Sequence, residues 1–151
     1  MENRIGVVTD IRAVTEKGKG ADSLICGEFL QGFGLKGDIH SGAGIRQVSI
    51  LSRESRLQIE DLGSAGYCTQ KFSENITTEG ILLFDRTVGT RIRIGETIQE
   101  ISQIGKSCYA DCPLGKSSEL CILSRECIFT KVITGGKISP GDPVSILKEG
   151  L

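Results

Sequence analysis

The sequence predicts a mostly β domain with one or two short helices, its sheet curled into a barrel. Three observations carry this. Six segments rich in β-branched residues are bounded by Gly, Asp or Pro, one segment alone has a clear helical signature, and the strands do not alternate with helices. The last disfavours a parallel βαβ architecture and favours a mostly antiparallel closed sheet.

The first strand candidate spans residues 4–14, where Ile5, Val7, Val8 and Ile11 partly alternate with polar positions. The second, 45–51, reads Ile-Arg-Gln-Val-Ser-Ile-Leu. Helix signals follow at once: Ser52 suits an N-cap, Glu54 lies in the first turn where the dipole favours a carboxylate, and Leu57, Ile59 and Leu62 supply apolar positions before Gly63. A polar turn over 74–80 then leads to a strand candidate at 80–84. Residues 90–104 carry the pairs Ile92/Ile94 and Ile98/Ile101, and the last candidates are 127–133 and 143–147. A second short helix is expected around 117–123. No repeat, linker or low-complexity tract divides the chain, so residues 1–151 read as a single domain.

Two stretches fall outside this pattern. Between Gly32 and Gly44 five of 13 residues are Gly, which makes regular structure costly. Residues 105–127 hold four of the six Cys. Long connections in a compact domain are commonly functional, and the chemistry is expected there.

Composition narrows the function classes. The 18 Lys and Arg balance 19 Asp and Glu, and two Tyr, five Phe and no Trp leave little to stack bases on, so nucleic acid is not an expected partner. Apolar runs such as Ile81-Leu82-Leu83-Phe84 are far shorter than the about 18 residues of a membrane span. The N-terminal residues show no signal-peptide pattern, and a cytoplasmic location is expected. A domain of this length buries roughly 70% of the surface its unfolded chain exposes, enough for a core without disulfide or metal staples. In a reducing compartment the six Cys are then free thiols, metal ligands or redox groups.

Several formal motif matches fail on mechanism. Gly32-x-Gly34-x-x-Gly37 has the spacing of a dinucleotide fingerprint, but Gly42 and Gly44 would break the helix that must follow. Gly-Lys-Ser occurs at 105–107 and 115–117, yet the Gly a P-loop needs five positions earlier is Glu100 or Ala110.

The Cys cluster runs Cys108-x3-Cys112-x8-Cys121-x5-Cys127. Four thiolates can close a tetrahedral zinc site, although the C-x2-C pairs of most zinc knuckles are absent. Cys121 and Cys127 lie among apolar neighbours and read as small buried hydrophobes. Cys108 follows Lys106 in a polar stretch; a nearby ammonium enriches the thiolate, which attacks sulfur or ligates a soft metal, and Cys112 is placed to act as a resolving thiol or second ligand. His40 is the sole imidazole, serving either a reactive site or the order of its own loop, with Asp38 two residues earlier able to orient it in both cases. Arg46 is either an end-of-strand charge or an anion clamp, since the guanidinium fork suits phosphate.

The order of these pieces resembles the MOSC domain, the module named for the C-terminal part of molybdenum cofactor sulfurases. The residues are Gly34-Leu-Lys-Gly-Asp-Ile-His40, Arg46-Gln-Val-Ser-Ile-Leu-Ser-Arg-Glu54, Phe72-Ser-Glu-Asn-Ile76 with Thr78-Glu-Gly-Ile81, Arg93-Ile-Gly-Glu96, and a strand ending at Gly105-Lys-Ser-Cys108. The resemblance extends from about residue 4 to Gly141-Asp142. It implies a MOSC-type β-barrel in which Cys108 carries sulfur or ligates molybdenum, with His40 and Cys112 as further catalytic candidates. The resemblance places His40, Arg46, Glu74 and Asn75 at the cofactor site; Lys36 and Lys106, expected with Arg46 to offset the charge of the pterin phosphate, and Asp38 beside His40 complete the cofactor-binding candidates. Small standalone members of this type, which the chain resembles, are associated with molybdenum cofactor (molybdopterin) maturation. The implied partners are the transiently bound cofactor, its biosynthetic enzymes and a cysteine desulfurase, with a family association with pyridoxal phosphate binding. Two alternatives stay open: a non-catalytic docking module holding zinc on Cys108, Cys112, Cys121 and Cys127, and a molybdenum-dependent reductase of N-hydroxylated compounds. Larger relatives that perform such reductions carry an additional N-terminal β domain, which is not expected in this chain.

Overall fold

The computed structural model describes residues 5–62, 73–105 and 125–150. The opening strand β1 (Ile5–Ala13) alternates buried and less buried residues, with Val8, Ile11 and Ala13 inside. A bulge between Val8 and Asp10 shifts the alternation so that Val8 and Ile11, three residues apart, face the same core. Its two neighbours in the barrel come from distant sequence: β11 (Pro143–Lys148) and β6 (Ile76–Glu79), both antiparallel to it.

Four further strands complete the ring. The order is β11, β7 (Arg91–Ile94), β8 (Thr97–Ile104), β9 (Ile128–Thr134), β5 (Val48–Ser52), β6 and β1, and the β1–β11 pairing closes seven strands on themselves. Closure removes the exposed sheet edges that an open antiparallel sheet would carry. The predicted β-barrel is therefore the observed architecture, and strand candidates 4–14, 45–51, 127–133 and 143–147 match β1, β5, β9 and β11 within a few residues. The long candidate at 90–104 is two strands, folded back at Gly95-Glu96 so that Ile94 pairs with Thr97.

The interior is apolar, built from residues such as Ile11, Ile50, Ile76, Ile92, Ile101 and Val144. It also holds a short polar chain: Thr97 Oγ1 donates to the Ile94 carbonyl (2.8 Å), Gln99 Nε2 donates to Thr97 Oγ1 (3.1 Å) and Thr130 Oγ1 donates to Gln99 Oε1, all three residues being fully buried. Every member has a partner, which is what allows such groups in a core.

Two departures from the sequence reading bear on function. The expected strand at 80–84 is not one; the strand is β6, immediately before it, in the stretch read as a polar turn. Gly80, at φ +85°, ends β6, and Ile81 and Leu83 are buried without a ladder of their own. The second departure is local: β5 and β6 are parallel, joined by helix α1 (Arg53–Leu62), which packs against both. One βαβ unit thus sits inside an otherwise antiparallel barrel. The helix begins where expected, with the Ser55 amide donating to Ser52 Oγ (3.0 Å), but Leu57 is exposed and Ser55 is the buried residue of the first turn. The helix expected at 117–123 lies outside the described residues.

A second, three-stranded sheet has the order β10 (Gly136–Ile138), β3 (Gly27–Leu30), β4 (Gly34–Leu35), and its Phe29, Leu35 and Ile138 join the barrel's core cluster. A two-residue strand β2 (Asp22–Ser23) pairs with the end of β1. The Gly-rich stretch begins at this small sheet, and all five of its glycines adopt φ between +67° and +151°. No helix follows them; β5 does, so the dinucleotide spacing has no structural counterpart. Among the described residues no helix is long and apolar enough to cross a membrane.

Gly34 is the glycine on which the loop's placement rests. A Cβ there would lie 2.3 Å from the Gln47 carbonyl oxygen, against backbone, and φ is +117°. At Gly18, φ is +81° but nothing lies within 4 Å of the added atom. Gly18→Ala is expected to cost about 1 kcal/mol from backbone strain alone, and Gly34→Ala at least about 3 kcal/mol because the loop must also move. Urea unfolding midpoints of the two variants check this; equal losses would show that the Gly34 contact is relieved freely.

Candidate functional site

Four of the described site residues, Asp38, His40, Glu74 and Asn75, gather where β1, β5 and β6 run side by side. Asn75, just ahead of β6, sits between the other two strands. Its Oδ1 accepts from the Ser49 amide (3.0 Å) and the Ser49 hydroxyl (3.2 Å) on β5, and its Nδ2 donates to the Arg12 carbonyl on β1 (3.1 Å). The same Nδ2 also donates to Asp38 Oδ2 in the Gly-rich loop. One buried amide thus ties three elements together.

Asp38 organises its own turn. Oδ1 accepts from the His40 amide (2.7 Å) and lies 3.2 Å from His40 Nδ1, while the Asp38 carbonyl accepts from the Ser41 amide (3.2 Å) and hydroxyl (2.6 Å). The Asp38 side chain is 2% exposed and the His40 side chain 68%. Asp38 and His40 are thus in direct contact, and the imidazole is the open end of the pair.

Glu74, next in sequence to Asn75, is fully buried. Its carboxylate meets a guanidinium on each side: Arg56 from α1 at Oε1, and Arg12 from β1 at 3.6 Å from Oε2. Thr77 Oγ1 donates to Oε2 (2.7 Å) and itself accepts from Arg12 Nη1 (2.7 Å). Both lone-pair regions of the carboxylate are engaged, which is the condition under which a buried charge is tolerated. A third polar chain holds the helix start: Ser52 and Ser55 hydroxyls lie 2.7 Å apart, and Ser55 Oγ donates to Glu126 Oε1 (2.5 Å). Sequence reasoning singled out Glu74 and Asn75 but not Arg12, Arg56, Ser49 or Glu126. Of the residues in these networks only Ser52 carried a further signal, as a helix cap.

Arg46 stands apart from this group. It is exposed, its guanidinium lies 5.1 Å from the Phe129 ring centroid, and Nε donates to Gln103 Oε1 (2.9 Å). Gln103 Nε2 in turn donates to the Gly105 carbonyl (2.9 Å), three residues before Cys108 in the chain. The neighbouring Gln47 is buried, donating to the Gly44 carbonyl (3.0 Å) and accepting from the Val132 amide (2.9 Å), which secures the loop's exit to β9. Lys36 is exposed, with Nζ 3.8 Å from Glu28.

Lys106, Cys108, Cys112 and Cys121 lie outside the described residues. Cys127 is fully buried, as expected of a packing residue. Among the described residues no group of three or more His, Cys, Asp or Glu is arranged to hold a metal ion.

Solved structures share the fold. The YuaD protein of Bacillus subtilis aligns over 99% of this chain and 99% of its own with TM-score 0.74 at 18% identity. YiiM of Escherichia coli aligns over 99% of this chain and 71% of its own with TM-score 0.62 at 20% identity, and YiiM of Geobacillus stearothermophilus over 95% and 75% with TM-score 0.62 at 16%. No protein-family model matches the chain, and no curated protein matches it significantly. At these identities the likeness is one of fold, and the fold is the MOSC-like barrel that the sequence resemblance implied.

Removing the Glu74 carboxylate leaves Arg12 and Arg56 facing each other across an empty buried position. Because both guanidiniums are partly exposed, Glu74→Ala is expected at the low end for a broken buried pair, about 3 kcal/mol, with a Tm decrease of roughly 6–12 °C in calorimetry. A decrease under about 2 °C would mean that the pair contributes nothing net.

Proposed function

We propose that this chain is a sulfur-carrier and molybdenum cofactor-binding domain acting in cofactor maturation or sulfuration, with the Cys108 thiol as its reactive group. What supports the reading most is convergence: the pairs Asp38/His40 and Glu74/Asn75, separated from each other by more than 30 residues in sequence, form one connected cluster on a MOSC-like barrel. The Asp38 carboxylate is buried and held from two sides, while the imidazole beside it is exposed.

The residues present suit an anionic substrate. Arg46 uses one of its five N–H donors on Gln103, and its other guanidinium hydrogens have no partner among the described residues. That leaves a fork of the kind that binds phosphate bidentately, stacked on Phe129 and so restricted in orientation. Lys36 and Lys106 add positive charge in the same reading, offsetting the pterin phosphate.

The chemistry asked of the thiol is sulfane transfer. The Cys108 thiolate attacks the outer sulfur of a persulfide on a cysteine desulfurase; the new S–S bond forms as the donor's own S–S bond breaks, and the donor cysteine leaves as a thiolate. Cys108 then carries the persulfide. Attack of the Cys112 thiolate on the Cys108 sulfur releases hydrosulfide to the acceptor and leaves a Cys108–Cys112 disulfide, which an external dithiol returns to the reduced state.

Intact mass spectrometry after incubation with a cysteine desulfurase and Cys tests this directly. Wild-type protein is expected to gain one or more sulfur masses, Cys108→Ala to gain none, and Cys112→Ala to load but retain its sulfur. A wild type that gains nothing, or a Cys108→Ala variant that gains as much, overturns the proposal. So does one equivalent of zinc per chain, lost on replacing any of Cys108, Cys112, Cys121 or Cys127.

A further inference from the structure

The hydrogen-bond valences of Asn75 assign it a role other than contact with a ligand. A carboxamide offers two N–H donors and two acceptor sites. Here Oδ1 accepts twice, from the Ser49 amide and hydroxyl, and Nδ2 donates twice, to the Arg12 carbonyl and to Asp38 Oδ2. All four positions are filled and the residue is buried. A ligand hydrogen-bonded to Asn75 would have to break one of these bonds.

Asp38 is filled in the same way on its inner side. Oδ2 receives Asn75, and Oδ1 receives the His40 amide and the His40 ring nitrogen Nδ1. The chain of contacts therefore runs outward from the barrel: Asn75, fixed to β1 and β5, holds Asp38, and Asp38 holds the imidazole, which alone of the three is exposed. We propose that Asn75 and Asp38 are positioning residues that fix His40 in the Nδ1-protonated tautomer, leaving Nε2 as a proton acceptor toward a protic reactant, a thiol above all.

The logic is that of a carboxylate orienting a histidine, where the ring nitrogen that faces the carboxylate carries the proton and the other nitrogen keeps its lone pair. An Nδ1–H donating to Asp38 leaves the lone pair on Nε2. In the transfer it serves, the thiol proton passes to Nε2, giving a thiolate and an imidazolium that lies beside the Asp38 carboxylate. The backbone adds a second restraint, since the Ile39 amide donates to the Val14 carbonyl (2.9 Å) and keeps the loop against the end of β1. This inference deepens the function proposed above, because His40 belongs to the same site, yet it concerns the resting protein and needs no sulfur donor.

His40 is the only histidine in the chain, so the imidazole nitrogen resonances of the 15N-labelled full-length protein report on one residue. Long-range 15N–1H correlation at about pH 9, well above the ordinary histidine range, is expected to show the proton on Nδ1. Asp38→Asn and Asn75→Ala are each expected to move population to the Nε2-protonated form, Asn75→Ala doing so although it does not touch the ring. A wild type protonated on Nε2 overturns the proposal, as does a folded Asn75→Ala whose ring shifts equal those of wild type. Should Asn75→Ala fail to fold, the wild-type Asn75 side-chain amide decides: slow hydrogen exchange is expected, and exchange as fast as that of an exposed Asn overturns the assignment. These results are independent of whether Cys108 loads sulfur, so the two proposals fail separately.

Discussion

A carboxylate taken from water into a protein interior loses several kcal/mol of hydration, and it stays charged only where donors replace that hydration completely. Glu74 is such a group, and much of the architecture around it follows from supplying those donors. Arg12 has to come from β1, Arg56 from α1 and the Thr77 hydroxyl from β6, so three elements are fixed relative to one another by one side chain. The two guanidiniums keep part of their surface in water, which lowers the desolvation they contribute and makes the arrangement tolerable. Asn75 follows Glu74 directly and, with its neighbour clamped, is held in reach of Ser49, Arg12 and Asp38. The Gly-rich loop is thus located by a chain of contacts whose first member is a buried charge.

The same constraint explains which parts of the fold were legible in the sequence. Strands β1, β7, β8, β9 and β11 bury one apolar face, so alternation and β-branched content reveal them. β6 hides because half of its residues are polar yet buried: Thr77 and Thr78 read as a turn when polarity is equated with exposure, whereas here they satisfy Glu74 and the ladder. The apolar run after it looks like a strand and has no partner. For α1 the cap at Ser52 was readable and the buried face was not, since the helix start lies on a polar surface through Ser55 and Arg56 while Leu57 faces solvent. The short strands β2, β3, β4 and β10 have two to four residues each and too little pattern to announce themselves. Asp38, His40, Glu74 and Asn75 could be picked out as a motif, but their mutual contacts span 37 residues and depend on the parallel β5–β6 pairing that the sequence argued against.

Strand β5 is where the two unusual connections of the chain meet. On one side its Ser49 donates to Asn75, and through it reaches the Gly-rich loop and His40. On the other side Ser49 pairs with Phe129 of β9, the ring under Arg46, and Arg46 reaches Gln103 and the Gly105 carbonyl. The Cys-rich segment is the connection between β8 and β9, and its two ends are held together by the Ile104–Ile128 pairing and the hydrogen bond from the Gly105 amide to the Cys127 carbonyl (2.6 Å). A stiff barrel therefore presents both connections from neighbouring strands, the usual division between a scaffold and the loops that do chemistry.

Register makes this arrangement all-or-none. Side chains alternate along a strand with a period of two, so a slip of β5 by one residue against β9 would turn Ser49 away from Asn75 and bring Val48 and Ile50 to the outer face. Burial of Val48 and Ile50 in the core excludes that slip far more strongly than any of the polar contacts does. The hydrophobic interior fixes the register, the register aligns Ser49 with Asn75 and Phe129, and only then do the hydrogen bonds to Asp38 and Arg46 become geometrically available. The polar network around His40 is accordingly a consequence of the apolar core, and it transmits the rigidity of that core to the single exposed imidazole.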